Sequence, residues 1–132
     1  MAESSTHNKV KLGELADTFE VIHGYAKEAL PARLSARIVR MNRAMRPLYE
    51  RYIADRTKII AKYKSSDADD KETPGQYKIP KENVEQFKVD IVALRDELVD
   101  FDAALKLPFD LMEAMNISPT GLEVISGFVE GM

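Results

Sequence analysis

Apolar residues recur along this chain in alternating steps of three and four, the spacing of one face of an α-helix. The first such run, Leu12, Leu15, Phe19, Ile22, Ala26 and Ala29, predicts a helix over residues 11–30 that stops ahead of Pro31. Gly24 weakens it by about 1 kcal/mol relative to alanine. The second run is longer: Leu34, Ile38, Met41, Met45, Leu48 and Tyr52, with Ile59 and Tyr63 resuming the seam after Asp55, predict a helix over residues 32–63. Pro47 lies inside it, removes one backbone donor and should kink it. The third run, Val84, Phe87, Ile91, Leu94, Leu98, Phe101 and Leu105, reads as a heptad seam over residues 82–105. Ser118 followed by Pro119 is a cap and first turn, and Leu122, Ile125, Phe128 and Val129 give a C-terminal helix over residues 118–130. Between the second and third runs, residues 64–80 are small, charged and turn-forming. Their tail, GQYKIP, alternates at period two and could add a minor strand near Gln76–Ile79.

These elements predict an all-α fold in a single domain, residues 1–132. Two long helices joined by a loop would fold back as an antiparallel, coiled-coil-like hairpin, with the N-terminal helix completing a three-helix arrangement. One register pairs Met45 with Phe101 and Tyr52 with Leu94. A slip of one heptad pairs Ile38 with Phe101 and Tyr52 with Phe87. The first eight residues are polar and expected to fray.

Composition supports a folded domain, since 45% of the 132 residues are hydrophobic and 31% are charged. The absence of cysteine excludes disulfides, thiolate metal sites and a cysteine nucleophile. Neither a signal-peptide core nor a run of roughly 20 apolar residues occurs, so a cytoplasmic protein without membrane contact is expected. The net charge of -3 is unevenly spread: residues 33–64 carry ten Lys or Arg against Glu50 and Asp55, whereas residues 65–104 carry eleven acids against five bases. Either the basic helix pairs with the acidic one across the hairpin, or it offers a surface to a polyanion. Arg33, Arg37, Arg40 and Arg51 fall within about 60° on a helical projection and form a candidate polyanion-binding stripe.

Catalytic chemistry is not apparent. His7 and His23 have no metal-ligand spacing, and the six glycines form neither a phosphate loop nor a dinucleotide turn. Asp67, Asp69 and Asp70 begin like a calcium loop, but Glu72 stands where the loop needs glycine and Lys78 where it needs glutamate. Asp96, Glu97 and Asp100 cluster without a predicted cleft, and Ser118 lacks a base. No enzyme activity, cofactor or metal is therefore expected. The segment holding Phe109, Leu111, Met112, Met115 and Ile117 is apolar enough to dock a protein partner, the first four being the candidate interaction residues, or else to cap the hairpin's open end.

The segments YERYIADRTKIIAKY, GQYKIP, FKVDIVALRDEL and ISPTGLEVISGFVE resemble a group of small tailed-bacteriophage proteins of unknown function, over residues 33–130. The resemblance implies a phage origin and an interaction role in the host cytoplasm, either host-factor binding, including anti-defence, or virion assembly. It carries no catalytic residues. The expected function is thus protein–protein contact by a monomer or homodimer. Nucleic-acid binding through the arginine stripe is the alternative.

Overall fold

The element marked most strongly by periodicity is also the longest. In the computed structural model, which describes residues 7–25, 27–64 and 79–130, helix α2 runs over Ala32–Tyr63. It starts directly after Pro31, whose fixed φ suits a helix entrance. It passes through Pro47 without a break, with that ring on the exposed face, where the unbonded carbonyl one turn earlier can turn to water. Leu34, Ile38, Met41, Met45 and Tyr52 are buried, as their shared stripe requires.

Helix α1 spans Leu12–His23, not residues 11–30. It ends at Gly24, whose amide turns back to the carbonyls of Glu20 and Ile22. The chain is then pinned by Tyr25, whose hydroxyl donates to the Asn116 carbonyl at 2.7 Å. The weak glycine and this tether end the helix well before the proline. α1 lies along α2, with Phe19 stacked on Tyr49 at 4.4 Å and Tyr49 donating to Glu20 at 3.1 Å. Leu12, Leu15, Ala16 and Ile22 are fully buried, so α1 is central to the core.

The third run departs most from expectation. Helix α3 covers Val84–Arg95, after a 3₁₀ turn at Lys81–Asn83, and the rest of the predicted helix is strand β2, Leu98–Asp102. β2 pairs antiparallel with strand β1, His7–Lys11, setting Val10 opposite Val99. Two patterns compete in LVDFD. The heptad wants Leu98 and Phe101 inside, while strict alternation wants Val99 and Phe101 inside with Asp100 and Asp102 out. Alternation wins: Val99 is 8% exposed and Phe101 3%, but Leu98 is 59% exposed. The N-terminal segment makes this possible, because β1 supplies the backbone partners a strand requires, and the Leu12 amide donates to the Glu97 carbonyl at 2.8 Å. The all-α expectation is corrected accordingly. The chain is mostly helical with small sheets added.

Consequently the long hairpin with matching heptad layers does not extend past Leu94, because Leu98–Asp102 is a strand and Ala103–Leu105 a separate 3₁₀ turn. α3 meets only the second half of α2. Tyr63 packs edge-on against Phe87 and donates to Asp90, and Tyr52 accepts from Arg95 at 3.0 Å. The first half of α2 is covered by α1 and the C-terminal segment. That segment holds a second two-strand sheet, β3 at Leu107–Pro108 and β4 at Val129–Glu130, paired in parallel. Helix α4, Pro119–Ile125, replaces the expected residues 118–130, and Phe128 turns inward to meet Phe101 edge-on at 4.9 Å. Of the proposed strand near Gln76–Ile79, all but Ile79 lies outside the described residues, and Ile79 is not in a strand.

Candidate functional site

The C-terminal segment carries an apolar cleft of about 180 Å³, lined by Phe109, Met112, Ile117 and Leu122, with Asp110 and Glu113 also on its wall. One wall is the 3₁₀ turn Phe109–Ala114, entered from Pro108. The other is α4, set by its cap: the Ser118 hydroxyl accepts from the Gly121 amide at 3.0 Å, with Pro119 in the first turn. Gly121 has a packing role, since a Cβ there would stand 3.1 Å from the Ile117 side chain. Without that side chain, Ile117 can lie against α4 and reach the cleft.

The four candidate interaction residues separate in depth. Phe109 is 43% exposed at the rim, Leu111 is half-buried, and Met112 forms part of the cleft lining at only 4% exposure. Met115 belongs to the core. Ile117, part of the apolar segment read as a docking surface, and Leu122, read only as a helix-face residue, also line the cleft. Their convergence with Phe109 comes from tertiary packing.

The arginine stripe also separates. Arg51 forms an ion pair with Glu97, and Arg37 donates to the Ala104 carbonyl at 3.1 Å, while Arg33 and Arg40 are exposed. Among the described residues, ion pairs from α2 to the acidic segment fall on its second half, Arg51 with Glu97 just past α3 and Lys62 with Asp90 on it. The other acids near β2 serve the N-terminal strand, Lys9 with Asp100 at 2.8 Å and Lys11 with Asp96 at 3.6 Å.

A polar cluster joins α1, α2 and α3. Arg95 reaches both Asp17 oxygens, the shorter contact 2.6 Å, and also the Tyr52 hydroxyl. The Asp17 carboxylate, by hydrogen bonding, holds the guanidinium more firmly protonated than usual. Gly13 makes room for it: a Cβ there would lie 2.7 Å from the Arg95 Cβ. Beside it, a cleft of about 350 Å³ is lined by Phe19, Glu20, His23, Arg46, Tyr49 and Glu50. Burial, then the hydrogen bond to Glu20, raises the Tyr49 phenol above its ordinary value, which disfavours a phenolate nucleophile. Within the cleft Tyr49 donates to Glu20, His23 stacks on Phe19, and Arg46 lies over the Phe19 ring at 5.6 Å. Among the described residues no group of His, Cys, Asp or Glu could hold a metal ion, and no helix is long and apolar enough to cross a membrane.

No family model matches the chain, and no curated protein or solved structure matches it significantly.

Proposed function

We propose that the protein is a non-enzymatic interaction protein that docks a peptide segment of a partner in the Phe109–Leu122 cleft. The reading is carried by the composition of that cleft: four apolar side chains from two short elements, with Asp110 and Glu113 beside them. An apolar floor captures an anchor side chain, and the carboxylates select what flanks it. The fitting partner segment therefore has one aliphatic or aromatic anchor beside Lys or Arg. The resemblance of residues 33–130 to small tailed-phage proteins extends the proposal to a phage accessory role in the host cytoplasm, in host-factor binding, anti-defence or virion assembly.

A random-peptide selection against the full chain tests the docking. Enrichment of apolar anchors flanked by Lys or Arg is expected, together with at least a tenfold loss of affinity in Phe109→Asp. Phe109 is 43% exposed, so this change leaves the core intact. A selection that enriches nothing, or binding indifferent to Phe109→Asp, overturns it.

A further inference from the structure

The first half of α2 carries Arg33, Arg37, Arg40, Arg43 and Arg46, and no acid occurs in the helix before Glu50. On helical spacing they span roughly 20 Å. Arg33, Arg40, Arg43 and Arg46 are exposed. Arg37 is held by the Ala104 carbonyl and Arg46 lies over Phe19, neither of which cancels a positive charge. Among the described residues, none of the five makes an ion pair with a carboxylate. Since α3 lies against the other half of α2, Asp90 on it and Glu97 just past its end serve Lys62 and Arg51 instead.

Arg33, Arg37 and Arg40 fall within about 60° on the helical projection, with Arg43 about 60° beyond Arg40 and Arg46 turned towards α1. We infer that the face carrying Arg33, Arg37, Arg40 and Arg43 binds double-stranded DNA through its phosphates. The exposed residues between the arginines are Ala36, Val39 and Ala44, small enough for a close backbone approach. A protein partner would want buried aromatic or aliphatic anchors at the centre of the contact, and Val39, 47% exposed, is the largest apolar group on offer. An anionic bilayer would likewise want an apolar wedge. Single strands are held by stacking on aromatic rings, and α2 places none between Arg33 and Arg46. What remains suits a rigid, dense polyanion whose binding is driven by counterion release, with a helix about as wide as the DNA major groove. The surface is separate from the apolar cleft, and the inference does not rest on peptide docking.

Fluorescence anisotropy with the full chain and a labelled 20-base-pair duplex of arbitrary sequence tests it. Binding at 50 mM salt should weaken roughly 40- to 150-fold by 200 mM, the range for three or four phosphate contacts. The double variant Arg40→Gln/Arg43→Gln, with an unchanged circular-dichroism melt, should flatten the logarithmic salt slope by about two. Lys9→Gln/Lys11→Gln, which removes the same charge from β1, should leave the slope as it is. No binding at 50 mM salt overturns the inference, as does a slope unaltered by the arginine changes. So does equal affinity for the single strand, or binding of polyglutamate or phosphatidylserine vesicles in place of the duplex.

Discussion

Thr18 is fully buried on α1, and its hydroxyl has no hydrogen-bond partner among the described residues. A buried unpaired hydroxyl carries a desolvation cost that a methyl of the same shape does not. Thr18→Val should therefore raise stability by about 1 kcal/mol, read as a higher midpoint in urea with an unchanged slope. Gly13 presents the opposite case, because Arg95 occupies the space its side chain would take. Gly13→Val should cost about 2 kcal/mol or more, since both the Arg95 side chain and its Cβ would have to give way. Asp90 supplies a residue-scale test in pH. The Tyr63 hydroxyl, then the Gln86 amide, hold its carboxyl below the usual range. A pKa depressed by folding contributes stability that is present above the ordinary carboxylate value and lost as the pH falls through the folded one. Thermal melts from about pH 5 to about pH 2.5 should show a steeper acid decline for the native chain than for Asp90→Asn.

At the scale of elements, residues 98–105 are where two readings of one sequence can be separated by substitution. Helical spacing makes Leu98 the buried residue and Val99 the exposed one, and the strand reverses them. Leu98→Asp should be nearly neutral, within about 0.5 kcal/mol, while Val99→Asp should cost about 3 kcal/mol, as denaturant titration of each would measure. This segment also explains what the sequence could reveal and what it could not. α2 was legible to its ends because Pro31 and the polar turn after Tyr63 bound a single unambiguous stripe. The cap of α4 was legible because Ser118 and Pro119 act locally. Leu98, Val99 and Phe101 fit both periods, and the choice was made by β1, some 90 residues away, whose Lys9-Val10-Lys11 alternation is too short to read alone. Of the candidate surfaces, the presence of Phe109 and the α2 arginines was legible. The burial of Met115, the cleft contributed by Ile117 and Leu122, and the pairing of Arg51 were not, since each depends on which elements meet.

For the whole molecule, the charge blocks have a different meaning from the one a hairpin would give them. Opposite charges on α2 and α3 can orient the two elements only where they touch, and they touch over the second half of α2. Among the described residues the arginines of the N-terminal half make no ion pair with a carboxylate, while residues 105–132 hold four acids against Lys106. The chain thus presents a basic helical face and an acidic, partly apolar segment that share no residue. If they bind different partners, each should be removable without the other. Phe109→Asp should abolish capture of an anchor peptide and leave the salt slope of DNA binding unchanged. Arg40→Gln/Arg43→Gln should flatten that slope and leave peptide affinity within about twofold, since sites without shared partners act additively to a few tenths of a kcal/mol. Measuring both ligands against both variants, with the second ligand saturating in a further pair of titrations, completes the test. Loss of both activities in either variant would mean that the two surfaces act as one site, in which a single partner spans α2 and the C-terminal segment.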